Sequence, residues 1–510
     1  MLATPSRRWR TRAAVALLLV VAVTGCGSTV AMHGSGQVLD VAGPTSGPGA
    51  PLAAQGGAPS TAGGGVGATP AGGAGPASAT LGSGAVTSVL PTAPGGLPST
   101  GGVVPARGRG WDEKNVYIGL TTVKDFDQTI GTLGLSLSTG DQVGDANAIV
   151  AALNKAGGLF GRQIKILQFD MKTADLEANT ASVAEAACTH FTQDSAVIGV
   201  LAIGPIDTDN FRACMSKRKV PFQVLTSNYG WDDVDGRAHL PYMYNTSAIS
   251  WTRVLPVFIA RLTAKRYFSP WDTLAGGPGT APVKVGVLYG PSPGQVRMGK
   301  AMVASFQRAG HPVEGYQYRD QSDLNAAVLK FHGDGVTHVT GIDEGPFYFS
   351  TEAESQHYRP RYALTTFQAV EPLWHANGTP GQNAGAIGIG WSPGLDVDDA
   401  HDPGPSPNTA WCLAALKSGG QQFASRFARF VGLVYCDAFE AFVEGAKAGG
   451  GLGPLSIFGG LVELGPRFRV GSSFSSGITS TNLGLPGAAR DFAWQTGCSC
   501  FAYSGASYPV

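Results

Sequence analysis

The sequence predicts an α/β protein of two doubly wound parallel-sheet lobes joined by a hinge, preceded by a disordered N-terminal leash. Three observations carry this expectation. Strands and helices alternate from Asn115 onward, and the alternation restarts near residue 248. About 400 residues run from Trp111 to Val510, more than one ordinary core serves, so two domains are expected. Before them, no charged residue occurs between Asp40 and Arg107, and no Phe, Trp or Tyr between Gly27 and Gly110. A stretch of Gly, Ala, Pro, Ser and Thr with scattered Val and Leu buries too little apolar surface to offset chain entropy.

The elements follow in order. Val116–Leu120 reads as a buried strand. Val143, Ala146, Ile149, Val150 and Leu153 recur at helical spacing, and Gly157-Gly158 ends that helix. Gln163–Leu167 starts a second strand; Leu176, Thr180, Val183 and Ala187 mark a second helix, and Ala196–Leu201 a third strand. A helix near Asp207 to Lys217 leads to the strand Pro221–Leu225. This is the pattern of βαβ units around a parallel sheet. It then repeats. Pro241–Tyr244 leads into a helix from Ile249 to Thr263, followed by the strand Val283–Tyr289 and a helix from Val296 to Arg308. Leu324, Val328, Leu329 and Phe331 form a helical face before Val336–Thr340, and another strand lies near Tyr362 to Thr366. Residues 369–410 and 451–485, rich in Gly, Pro and Ser, show no periodicity that places their elements. Ligands of open α/β sheets bind beyond the carboxyl ends of the strands, and two such lobes enclose a ligand by hinge closure.

Residues 151–166 read Ala-Ala-Leu-Asn-Lys-Ala-Gly-Gly-Leu-Phe-Gly-Arg-Gln-Ile-Lys-Ile. This stretch resembles a hallmark of type I periplasmic solute-binding proteins, the branched-chain amino acid receptors of ABC transporters. There an N-x-x-G-G helix end precedes G-R-x-I. The Cys188–Cys214 spacing, Lys219-Val220-Pro221 leading into a strand, and Asp323-Leu324 opening a helix fit the same family. The resemblance covers residues 114–368 well and 369–510 loosely, where Trp494, Cys498, Cys500, Phe501 and Tyr503 resemble a closing strand of some members. It implies three crossings between lobes, with one lobe at 111–248 plus 375–450 and the other at 249–374 plus 451–510. It also implies capture of a small polar solute, delivery to an ABC permease, no catalysis and no cofactor, in a chain expected to be monomeric.

The N-terminus addresses location. Arg7, Arg8, Arg10 and Arg12 precede the apolar run Ala13–Val23, which reads as a secretory signal. The run falls short of the ~20 residues that span a bilayer. It ends at Val23-Thr24-Gly25-Cys26, which resembles the lipobox of bacterial lipoproteins. Residues 1–25 are thus expected to be cleaved and Cys26 lipidated, and two lipid chains anchor stably where one does not. Residues 26–110 form the leash, with an r.m.s. reach of roughly 50 Å as a flexible coil. The folded part is expected at the extracytoplasmic face of a cell membrane. With 36 basic and 36 acidic residues the formal net charge is zero, and no basic cluster follows the signal, which excludes an electrostatic nucleic-acid binder.

Setting Cys26 aside, the cysteines fall into local pairs. In an exported chain Cys188–Cys214 and Cys412–Cys436 are expected disulfides. Each closes a loop of about 25 residues, worth roughly 3 kcal/mol by chain entropy. Cys498–Cys500 is a strained closure and the weaker pair. The nine histidines are scattered, none at metal-motif spacing to a cysteine, so no metal site is expected.

By the strand-end rule the cleft candidates are Thr121-Thr122, Ile203-Gly204-Pro205 and Thr226-Ser227-Asn228 in one lobe. In the other they are Tyr289-Gly290-Pro291, Asp343-Glu344 and Phe367-Gln368. The resemblance implies that hydroxyls and backbone N–H groups at Ile203-Gly204 and Ser227 hold a ligand α-carboxylate. Pro205 departs from the pattern by offering no N–H, which puts an amino acid ligand in question. Asp343 and Glu344 either meet a ligand ammonium or lie in a solvated loop. Phe347, Tyr348 and Phe349 either wall the cleft or join the core. The expected ligand set is Thr122, Ile203, Gly204, Ser227, Asn228, Tyr289, Glu344, Phe347 and Gln368.

Gly290-Pro291-Ser292-Pro293-Gly294 matches the G-x-S-x-G of a hydrolase nucleophile elbow, between a strand and a helix. The oxyanion hole needs the N–H of the residue after the serine, and Pro293 has none. No P-loop and no H-E-x-x-H occur. A ligand-gated sensor on the same fold is the alternative to transport, and an exported hydrolase comes third.

Overall fold

The computed structural model describes residues 104–132, 137–203, 206–225 and 231–510. The signal segment, Cys26 and the leash to residue 103 lie outside the described residues.

The chain begins with β1 (Asn115–Val123), α1 (Gln142–Lys155), β2 (Gln163–Met171), α2 (Thr173–Thr189), β3 (Gly199–Ala202), α3 (Asp209–Lys217), β4 (Phe222–Val224), α4 (Asp233–Ala238) and β5 (Met243–Asn245). These strands form a parallel sheet of order β2-β1-β3-β4-β5. β1 is almost uniformly buried, as a parallel strand covered on both faces by helices is. At Gly119 the approach is so close that a Cβ would stand 2.7 Å from the Phe191 ring. α1 is capped by Asp141, whose carboxylate accepts from Gly144 N at 2.9 Å. Of the expected face, Ala146, Ile149, Val150 and Leu153 are buried and Val143 is half-buried.

The turn after α1 explains the N-x-x-G-G…G-R-x-I stretch physically. Gly157 and Gly158 adopt φ of +105° and +65°, conformations that L side chains rarely adopt. The Asn154 side chain pairs with the backbone of Ile164 like a strand neighbour, accepting from its N at 2.7 Å and donating to its O at 3.0 Å. Arg162 ties the preceding chain to this turn, donating from Nε to Asp112 O at 2.7 Å and from Nη2 to Pro105 O at 2.9 Å.

The second lobe follows with α5 (Trp251–Ala264), β6 (Val285–Tyr289), α6 (Pro293–Arg308), β7 (Val313–Gln317), α7 (Asp323–Gly333), β8 (His338–Gly341), α8 (Gly345–Ser355), β9 (Arg361–Thr365) and β10 (Ile387–Gly390). The chain then builds α9 (Pro407–Ser418), α10 (Arg426–Ala448) and α11 (Pro454–Leu464), and ends in β11 (Ala488–Gln495) and β12 (Cys500–Pro509). The second sheet has the order β12-β11-β10-β9-β8-β6-β7, with β11 antiparallel to both β10 and β12 and the other pairs parallel. The first five strands of each lobe therefore share the doubly wound order 2-1-3-4-5.

The chain passes between lobes at 246–250, 391–406 and 471–487. The passages meet: Asn245 N donates to Leu483 O at 3.0 Å, Leu485 N to Asn245 O at 2.8 Å, and Trp391 Nε1 to Ser247 O at 2.8 Å. The last two lie later in the chain than residues 375 and 450, where the resemblance placed them. Ile387–Ile389 pair with Ala363–Thr365, which keeps residues 375–390 in the second lobe. α11 stays with the first lobe because Ile457 and Leu461 bury against α10, where a Cβ on Gly460 would be 1.9 Å from Gly445 O. The third passage is held by the buried Asp437 of α10, which accepts from Ser472 N at 2.9 Å and Ser472 Oγ at 2.6 Å.

Cys188 is bonded to Cys214, linking α2 with α3, and Cys412 to Cys436, linking α9 with α10. Cys498 is bonded to Cys500 between β11 and β12. Among the described residues, no helix is long and apolar enough to cross a membrane.

Candidate functional site

In a 2-1-3-4-5 sheet the strand order reverses between the first and third strands, and ligands bind in the crevice beyond their carboxyl ends. In the first lobe that switch point lies between β1 and β3, where Thr121 Oγ1 accepts from Ile203 N at 2.9 Å. In the second it lies between β6 and β8. There Gln295 Nε2 donates to Asp343 at 2.9 Å, and Gly345 N donates to the other carboxylate oxygen at 3.0 Å.

A cavity of about 440 Å³ lies between the lobes at the N-terminal ends of α3 and α6, lined by Asp207–Asn210, Arg212 and Asp235 of the first lobe and by Ser292, Gly294, Gln295 and Met298 of the second. Buried Arg212 forks onto Asp207 at 2.6 and 2.5 Å. Burial opposes its charge, yet Asp207 and Asp235 raise its pKa. Arg297 of α6 reaches across to the first lobe, pairing with Asp232 at 2.5 Å and Asp235 at 2.7 Å. Burial pushes Asp235 up, against the pull of Arg212. A second cavity, about 450 Å³, lies under the 393–406 passage against Arg429, Phe430 and Leu433 of α10 and Gly471–Phe474.

Beyond β8 sits Glu344, whose Oε2 is buried with no hydrogen-bond partner. Burial, reinforced by the neighbouring Asp343 charge, pushes its pKa up to about 8. Asp343 is itself pushed up to about 6 by burial, against the hydrogen bonds that favour its charged form. Burial therefore favours the neutral form of Glu344, and a cation brought against it would favour the charged form.

The other expected ligand residues are distributed differently. Thr122 is buried, donating to Asp170 at 2.6 Å and accepting from Gln168 Nε2 at 3.2 Å. Ile203 is buried and its N–H is taken by Thr121. Tyr289 lies in the core against Gly299 and Gly315. Phe347 is core as well, edge-on to Trp374 at 6.1 Å. Gln368 is fully buried and clamps its own strand end, accepting from Thr365 N at 2.6 Å and donating to Asp343 O at 2.8 Å. Gly204, Ser227 and Asn228 lie outside the described residues. Arg212, Asp235, Arg297 and Gln295 were not among the expected residues; nothing in their sequence spacing signals them.

Ser292 of the G-x-S-x-G stretch caps α6: its Oγ accepts from Gln295 N at 3.3 Å, while Gln295 Oε1 accepts from Ser292 N at 3.2 Å. That reciprocal pair is a capping box, and it uses the hydroxyl for a structural purpose.

No family model matches the chain, and no curated protein does. Solved structures do. A leucine binding protein from Thermotoga maritima is 12% identical, with 77% of this chain and 99% of that chain covered and a TM-score of 0.54. A type 1 periplasmic binding protein from Bordetella pertussis is 14% identical over 78% and 100%, with a TM-score of 0.54. An ABC-transporter solute binding protein from Rhodopseudomonas palustris HaA2, solved with p-hydroxybenzoic acid, is 12% identical over 78% and 97%, again with a TM-score of 0.54. The chain has the type I periplasmic binding protein fold.

Proposed function

We propose that this chain is an extracytoplasmic solute-binding protein, held on a cell membrane by lipid at Cys26, which captures a small polar solute by hinge closure and delivers it to an ABC permease. The observation that carries it is a cavity of about 440 Å³ between the lobes, at the N-terminal ends of α3 and α6, a volume suited to a small ligand. Structural neighbours hold leucine and p-hydroxybenzoic acid, both small carboxylic acids. The unpartnered carboxyl of Glu344 favours a solute that also carries a protonated nitrogen. Ser292 is occupied in capping, and the function is binding without chemistry.

A thermal-shift screen of amino acids, amides, polyamines and small aromatic acids tests this. A cognate solute at a hundredfold excess over its dissociation constant adds about 2.7 kcal/mol of stability and shrinks the small-angle scattering radius. Binding with an unchanged radius would refute hinge closure, and no binder in the screen would count against solute capture.

A further inference from the structure

His401 is remote from every cysteine in sequence, yet its ring nitrogens lie 3.6 Å (Nδ1) and 3.7 Å (Nε2) from the Sγ of Cys500. Together with Cys498, one ligand atom from each residue falls within 4.8 Å of the others. Asp398 holds Nδ1 at 2.7 Å, which assigns the proton to Nδ1 and leaves the Nε2 lone pair free. Such a carboxylate–imidazole pair is the usual outer support of a metal-ligating histidine. Around a tetrahedral ion with bonds of ~2.3 Å to sulfur and ~2.0 Å to nitrogen, ligand atoms stand ~3.5 to 3.8 Å apart. The Nε2–Sγ separation of 3.7 Å lies in that range. Because Nδ1 is as close, at 3.6 Å, the sulfur stands off the Nε2 lone-pair axis while the S–S bond is closed, and the side chains turn to meet an ion once it opens.

We propose that reduced Cys498 and Cys500, with His401 Nε2, form a binding site for a thiophilic d¹⁰ cation, Zn²⁺ or Cu⁺. Thiolate and imidazole select these ions, and three protein ligands leave a fourth position open on zinc. In this structure the two sulfurs are joined. A dithiol reductant opens the site: it gives two electrons and two protons to the S–S bond and closes its own disulfide. The incoming cation then displaces both thiol protons. Cys498 is exposed, although its partner Cys500 is buried; Cys188, Cys412 and Cys436 are fully buried and Cys214 is half-buried, so the sulfur most open to a small dithiol is that of Cys498. His401 belongs to the 391–406 passage, whose Asp402 pairs with Arg426 of α10 at 2.5 Å. A bound ion would thus pin that passage to the edge of the second sheet.

The test loads the full chain with zinc after mild dithiol treatment, desalts it and measures retained metal. The reduced chain is expected to hold one more zinc ion than the oxidised chain. His401→Ala and Cys498→Ser should each weaken that binding at least tenfold, and Asp398→Asn by about 10- to 100-fold. Zinc on other thiols, Cys26 included, is common to the unaltered and His401→Ala chains and cancels in the comparison. Thermal unfolding of the oxidised variants checks their folding. Independently of any variant, Co²⁺ added to the reduced unaltered chain should give intense tetrahedral bands with thiolate charge transfer. No extra zinc, binding undiminished by His401→Ala, or no such cobalt bands would each overturn the site.

Discussion

At the scale of single residues, four carboxyls among the described residues have a buried oxygen without a hydrogen-bond partner: Asp145 at both oxygens, and Glu314, Glu344 and Asp396 at one each. Glu344 follows the carboxyl end of β8, and burial with the Asp343 charge pushes it up to about 8. An ammonium needs the carboxylate, so affinity for a cationic solute should rise with pH until about 8 and level off. Glu344→Gln should weaken that solute at least tenfold and abolish the pH dependence, as calorimetric titration at several pH values would show. Asp145 is different: it lies under α10, where a Cβ on Gly432 would stand 3.2 Å from its Oδ2, and neither oxygen is hydrogen-bonded. Burial, and then the charge of Asp141, pushes it up to about 7. A folded pKa above the unfolded value means stability that is full below about pH 4 and lost as pH rises through about 7. Asp145→Asn should flatten that part of the stability–pH curve, measured by denaturant melts. An unaltered slope would mean that other buried carboxyls dominate.

At the scale of elements, the crossing of α10 and α11 depends on the absence of a side chain. A Cβ on Gly460 would stand 1.9 Å from Gly445 O and 2.5 Å from Gly449 N, both rigid backbone. Gly460→Ala should therefore cost about 1–3 kcal/mol through overpacking, read as a lower denaturation midpoint. A neutral result would show that α11 is free to shift away from α10. Elements differ in how plainly sequence announces them. α1 and β1 are legible because each is uniformly patterned by burial. β7 is an edge strand, half-buried along Val313–Tyr316, so its alternation is faint and Val313–Gln317 reads as connection. α9 and α11 begin at Pro407 and Pro454 inside Gly/Pro/Ser-rich stretches, where composition masks periodicity. Strand ends are legible as positions, yet successive side chains point to opposite faces. That is why Tyr289, named by position at a strand end, turns inward to the core; Phe347 lies on the buried face of α8, and Gln368 closes the turn after β9 onto Thr365.

At the scale of the whole molecule, Arg297 ties the lobes by pairing with Asp232 and Asp235. Arg297→Ala should enlarge the solute-free scattering radius, because an interlobe tie is lost, and leave the first lobe's disulfides intact. An unchanged radius would assign the lobe arrangement to the three passages alone. For the proposed anchor, Cys26→Ser should release an intact, solute-binding protein into the medium. Retention at the membrane would place the attachment elsewhere.

Sequence alone determined the class of fold, since alternating apolar strands and amphipathic helices follow from burial period and need no distant contact. It also determined the local turn at Asn154–Arg162, whose glycines and Asn side chain act within a few residues. What only the tertiary structure decided is where distant residues meet. The Arg212–Asp235–Arg297 chain of charges, the passage points at 391–406 and 471–487, and His401 beside Cys500 all join segments far apart in sequence. Their pairing depends on how the lobes are threaded, which no local pattern encodes.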